Sequence, residues 1–106
     1  MVRLDARSLG VVVVGLGLVT PAWSDRCEDL LKLDGLLSRA ARECPFSFYS
    51  FRFRQDAQLC VDKVGEKVAK PLIVKGQQAF DTRAREMGKE GLCRKLLGDF
   101  PMTVKP

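Results

Sequence analysis

The stretch DRCEDLLKLDGLLSRAAREC, residues 25–44, decides the fold class of this 106-residue chain. Its apolar side chains recur at spacings of three and four, which is the period of an amphipathic α-helix. They are Leu30, Leu33, Leu37, Ala40, Ala41 and Cys44. Pro45 ends the segment, because proline has no amide hydrogen with which to continue the helix. Gly35 weakens the helix by about 1 kcal/mol relative to alanine, so packing must hold it.

The same period continues after the first helix and predicts three further helices. They are expected at about residues 50–70, 72–87 and 91–98. Ser50 is placed to cap the first of these, Pro71 to separate it from the next, and Gly98 to end the last. The pattern also extends back from residue 50 through residues 46–49, so the helix predicted at about 50–70 can begin earlier. Residues 102–106 are expected to be loose.

Residues 1–24 carry the three parts of a secretory signal peptide in their usual order. A start with two arginines precedes LGVVVVGLGLV, an apolar run of 11 uncharged residues at 9–19. This run is too short for a membrane-spanning helix, which needs about 20 apolar residues. Small residues favour cleavage between Ser24 and Asp25. The alternative is that the valine-rich run forms a strand or helix of the domain.

Cleavage leaves 82 residues, a net charge of +4 and all four cysteines. An even number of cysteines in a short exported chain indicates a disulfide framework. A zinc site or a redox thiol pair is disfavoured, because the chain has no histidine and no Cys-x-x-Cys. Antiparallel helices favour the pairs Cys27–Cys60 and Cys44–Cys93 among three possible connectivities. Residues 25–106 are thus predicted to form an all-α, disulfide-stapled bundle of three to four helices.

The most unusual stretch is FSFYSFRFR, residues 46–54, which we call the aromatic segment. Its candidate partner-binding residues are Phe46, Phe48, Tyr49, Phe51, Arg52 and Arg54. On a single helix the rings at 46, 49 and 53 share a face that those at 48 and 51 do not. Some rings are therefore expected to be exposed, and aromatic residues with arginine are enriched at interface hot spots. The alternatives are a small core between two helices and a membrane-surface patch.

Catalysis has few suitable residues, since histidine is absent and no serine lies in a nucleophile elbow. Asp62 and Glu66 lie one turn apart, but neighbouring lysines favour a surface ion-pair cluster. We expect a non-enzymatic protein with no cofactor and no metal.

The expected function is that of an exported binding or interaction module, periplasmic or extracellular, related to stress or the cell envelope. Its expected partner is an unidentified protein, and nucleic acid is not expected at that location. The alternative is a membrane-active or lipid-binding protein of toxin or saposin-like type, for which an anionic membrane surface is the partner. The overall plan is similar to small helical periplasmic proteins of bacteria, including acid-stress chaperones, with no residue carrying that likeness.

Overall fold

The computed structural model describes residues 22–106, with side chains from Arg26 onward. In chain order, the elements of this part are α1 (Ala22–Glu43), β1 (Phe48–Tyr49), α2 (Phe51–Val64), α3 (Glu66–Met87), α4 (Lys89–Asp99) and β2 (Val104–Lys105). The predicted all-α bundle is confirmed. The signal-peptide prediction falls on residues 1–24, of which 1–21 lie outside the described residues. Helix α1 continues across the bond after Ser24, where cleavage is predicted.

Two disulfides staple the bundle. Cys27 in α1 is bonded to Cys60 in α2, and their Cα atoms are 5.3 Å apart. Cys44, just after α1, is bonded to Cys93 in α4, with the Cα atoms 5.7 Å apart. This is the connectivity that antiparallel packing favours. All four cysteines are at most 8% exposed. Two buried disulfides in so small a domain are typical of an oxidising compartment outside the cytoplasm.

The backbones of α1 and α3 cross so closely that two glycines are required. A Cβ atom on Gly35 would lie 2.9 Å from the carbonyl carbon of Ile73, and closer still to its oxygen. A Cβ atom on Gly76 would lie 2.9 Å from the carbonyl carbon of Lys32. Gly35 therefore weakens α1 as an isolated helix but permits the contact that holds α1 against α3.

The core consists of two clusters of different size. The main cluster includes Leu37 of α1, Phe80 of α3, Leu92 and Leu96 of α4, and Val104 of β2. The smaller cluster surrounds the Cys27–Cys60 disulfide and includes Leu31, Ala57 and Ala69. The only buried residues of α2 are Ala57 and Cys60, both of them small. Because small side chains remove little apolar area from water, α2 depends on its disulfide more than the other helices do.

The predicted break at Pro71 was wrong. Helix α2 ends at Val64, and α3 already begins at Glu66. Gly65 separates them with φ +89°, a conformation that glycine adopts readily and other residues rarely do. Pro71 lies inside α3, on its exposed side, where water can replace the one hydrogen bond that proline removes.

The C-terminal predictions also need correction. Gly98 does not end the last helix, which continues to Asp99. Residues 102–106 are not loose, because β2 pairs antiparallel with β1 and Val104 is only 1% exposed. Residues 48–49 form β1, so α2 does not begin earlier than Phe51. A pairing of two residues across more than 50 positions leaves no trace in the local pattern.

Candidate functional site

The aromatic segment contains a loop, a strand and the start of a helix, so its rings point in two directions. Phe46, Tyr49 and Phe53 are half-buried and pack against the main core cluster. Phe48 is 41% exposed and Phe51 is 67% exposed. The sequence analysis expected this division for a single helix, but its cause is different. Successive residues of β1 face opposite sides, and Phe51 begins α2 on the solvent side.

Tyr49 attaches the aromatic segment to α1. Its hydroxyl donates a hydrogen bond of 2.7 Å to Oδ1 of Asp34. Its ring lies 6.0 Å from the ring of Phe53, measured between centroids. Burial and, after it, the hydrogen bond to Asp34 raise the pKa of Tyr49 above its ordinary value. Tyr49 thus acts as an anchor of the fold while remaining only half-buried.

Backbone hydrogen bonds fix both ends of β1. The amide of Ser47 donates to the carbonyl of Lys105 (3.0 Å), and the amide of Ser50 donates to the carbonyl of Thr103 (2.8 Å). The Oγ atom of Ser50 accepts from the amide of Phe53 at 3.2 Å and caps α2, as predicted. The exposed rings therefore project from a backbone that α1, α2 and β2 all hold.

Three basic residues accompany the exposed rings, one by a contact in the fold and two as neighbours in the chain. The Nζ atom of Lys105 lies 5.8 Å from the centre of the Phe48 ring, within the range of a cation–π contact. Arg52 and Arg54 extend from the first turn of α2 and are exposed. Within residues 26–106 neither arginine forms a salt bridge. These guanidinium groups remain available to an external carboxylate.

A groove opens beside Phe51, between α2 on one side and α1 with α3 on the other. It has a volume of about 450 Å³. Its apolar lining includes Ala57, Val61 and Ile73, and Arg54 lies in its wall. Past Val61 and Ile73 it continues into a second depression of about 330 Å³. We call the two together the α2 groove. The sequence analysis missed it, because it forms only where three helices meet.

A second cleft, of about 780 Å³, lies beside the Cys44–Cys93 disulfide. Phe46 and Leu97 give it an apolar side. Its rim carries both signs of charge, including the Glu43–Lys89 ion pair, whose Oε1 and Nζ atoms are 3.7 Å apart. Mixed charges give this cleft no preference for one charge class of ligand.

The shifted pKa values of the described residues belong to structural contacts. Arg39 of α1 donates to Asp81 of α3 through Nε (3.2 Å) and Nη2 (2.8 Å). This hydrogen bonding lowers the pKa of Asp81 and raises that of Arg39.

In residues 26–106 no three Cys, Asp or Glu side chains are grouped so that they could hold a metal ion. The arrangement around Phe51 is suited to binding.

Among the helices of residues 22–106, none combines the length and the apolar character needed to cross a membrane. No family model matches the chain, and no curated protein or solved structure matches it. The site is therefore interpreted from its own geometry.

Proposed function

We propose that this protein is a small exported, non-enzymatic binding module that takes up an apolar and acidic segment of another protein. The observation that carries the proposal is Phe51, which is 67% exposed at the mouth of the α2 groove. The signal-peptide pattern of residues 1–24 and the two disulfides support an exported location.

The exposed rings are held in place before any partner arrives. The Ser50 cap fixes the first turn of α2, and the Cys27–Cys60 disulfide fixes its second half. A ring presented on a fixed backbone loses little conformational entropy on binding, so more of the contact energy remains as affinity. Phe48 and Phe51 thus meet the description of interface anchors.

The lining of the α2 groove carries both signs of charge, with Arg54 and Lys70 against Asp34 and Glu66, so the preference for an acidic partner comes from the additional cations Arg52 and Lys105 outside the lining. Lys105 contacts the ring of Phe48, Arg54 lines the groove together with Phe51, and Arg52 follows Phe51 in the chain. Asp34, which also lines the groove, already accepts the hydroxyl hydrogen of Tyr49. A partner with carboxylates can therefore pair with the arginines while its apolar side chains cover Phe51. Helix α2 has 14 residues, or about 20 Å of length, which corresponds to roughly six residues of an extended peptide.

The test selects binders from a library of random displayed peptides against the disulfide-bonded protein. We expect the selected peptides to combine acidic with apolar residues and to lose their binding to Phe51→Ser. Leu59→Ser is the matched control, because Leu59 is 57% exposed on the same helix but does not line the groove. That variant should bind the peptides like the wild type.

Two outcomes would contradict the proposal. Peptides that bind Phe51→Ser as tightly as the wild type would remove Phe51 from the interface. A thermal midpoint that falls as far in Phe51→Ser as in a core variant such as Leu37→Ala would return the ring to the fold. The expected midpoint of Phe51→Ser lies close to that of Leu59→Ser, since both side chains are mostly exposed.

The alternative function, a lipid-binding protein, stays a prediction. The rings of the aromatic segment do not favour it, because three of the five pack against the core.

A further inference from the structure

The outer face of α3 is a second charged surface, separate from the exposed rings. One side of the helix buries Ala69, Gly76 and Phe80. On the opposite side, Lys67, Lys70 and Val74 follow one another at spacings of three and four, and all are exposed. Lys75 is exposed next to Val74. We call Lys67, Lys70, Pro71, Val74 and Lys75 the outer face of α3.

This face combines positive charge with exposed apolar side chains. Val74 is 41% exposed and lies with Pro71 in a shallow, open depression of about 550 Å³. Glu66 is the only acidic residue in the lining of that depression, beside Lys67 and Lys70. In the described part of the chain, Lys67 and Lys75 form no salt bridge. The positive charge is therefore not neutralised by the fold.

We infer that the outer face of α3 docks on an anionic lipid surface. The three lysines lie within residues 67–75, about 12 Å of a helix that is about 33 Å long. The convex side of such a helix fits a broad, flat field of negative charge better than a single ligand. Lysine stems lie along apolar surface while their ammonium groups reach the headgroups, and Val74 with Pro71 can enter the boundary between headgroups and acyl chains.

The outer face of α3 and the α2 groove can be tested by substitutions at different residues. Lys70 borders both, so it is left unchanged. Lys67 and Lys75 do not line the groove. Phe51 lies at the mouth of the α2 groove and is not part of the outer face of α3. Replacing Phe51 with serine should abolish the binding of selected peptides and leave lipid binding unchanged, so the two proposals can fail separately.

The experiment is co-flotation of the disulfide-bonded protein with vesicles of equal parts phosphatidylglycerol and phosphatidylcholine at low salt. We expect flotation with these vesicles, none with pure phosphatidylcholine, and release as salt rises. The variant Lys67→Gln/Lys75→Gln should bind about 25-fold more weakly, from about fivefold for each basic residue near such a surface.

The matched control is Arg83→Gln/Arg94→Gln, which changes the net charge by the same amount at exposed positions elsewhere. We expect that pair to weaken flotation by less than about threefold, since charge away from the contact is screened. No flotation of the wild type, or an equal loss in the two paired variants, would overturn the inference. If Lys67→Gln/Lys75→Gln floats as the wild type does but no longer binds the selected acidic peptides, the lipid inference is wrong. The outer face of α3 would then be assigned to a protein partner.

Discussion

Replacing Gly35 with alanine tests the close crossing of α1 and α3. As an isolated helix, α1 would gain about 1 kcal/mol from the change, because alanine is the best helix former and glycine one of the worst. In the folded protein the new Cβ atom would lie 2.9 Å from the carbonyl carbon of Ile73 and 3.1 Å from its Cα atom. Carbon atoms in contact are normally about 3.5–4.0 Å apart. The carbonyl oxygen of Ile73 lies closer still, so the two helices must separate by at least about 1 Å.

The separation loosens packing on both sides of the crossing. Leu31 and Leu37 of α1 are fully buried, and so is Phe80 of α3. Overpacking a core costs about 1–3 kcal/mol, and here the obstacle is backbone, which cannot rotate away as a side chain can. We therefore take the cost at the upper end, about 3 kcal/mol, which after the gain of about 1 kcal/mol in helix propensity leaves a net loss of about 2 kcal/mol in the free energy of unfolding. For a domain of this size, that corresponds to a thermal midpoint lower by roughly 8–16 °C.

Thermal and urea unfolding of the disulfide-bonded protein, followed by far-UV circular dichroism, measure the effect. Gly98→Ala is the control, because Gly98 lies inside α4 and a Cβ atom there would meet nothing within 4 Å. That variant should be more stable than the wild type, by up to about 1 kcal/mol. A midpoint for Gly35→Ala at or above that of the wild type would refute the crossing geometry, since only the gain in helix propensity would then be visible.

Three further expectations concern stability. Pro71→Ala should raise the free energy of unfolding by up to about 3 kcal/mol, measured in urea, because it restores the amide that proline lacks inside α3. The fold lowers the pKa of Asp81, so the ion pair of Asp81 with Arg39 stabilises the protein at pH values above the pKa that Asp81 has in the unfolded chain. This contribution is lost as the pH falls through the lower pKa that Asp81 has in the folded protein, below about pH 4. In Arg39→Met, the urea midpoint should depend less on pH in this range. A pH profile identical to that of the wild type would show that the ion pair does not contribute to stability. Val104→Ala should cost about 2 kcal/mol, whereas Met102→Ala, at an 80% exposed position, should change the midpoint little.

Local periodicity predicted the helices well and their ends less well. The three-and-four spacing of residues 25–44 predicted α1, but not its buried side chains: Leu31 and Leu36 are buried although they lie outside the predicted stripe, and Leu33 of that stripe is only partly buried. The end of α2 was misplaced because Pro71 is a familiar helix breaker, while the decisive residue was Gly65 with its positive φ. The residues around Gly65, KVGEKV at 63–68, keep the helical spacing of the valines, and a single glycine inside such a pattern is also tolerated within a helix.

The candidate site was partly visible in the sequence. The prediction that some aromatic rings stay exposed agrees with Phe48 and Phe51, since nine consecutive residues cannot all face one core. The inward direction of Tyr49 depends on Asp34, fifteen positions away, and on β2. The α2 groove has no local signal, because its lining comes from α1, α2 and α3 together.

The sequence by itself determined the helical class, the disulfide framework and the basic surface, because these follow from the period of apolar residues, the number of cysteines and the count of charges. Only the tertiary structure shows why Gly35 is tolerated, how the C-terminal residues are held and which rings reach solvent. Each of these depends on contacts between residues far apart in the chain, and the free energy of such contacts exists only after the helices have packed.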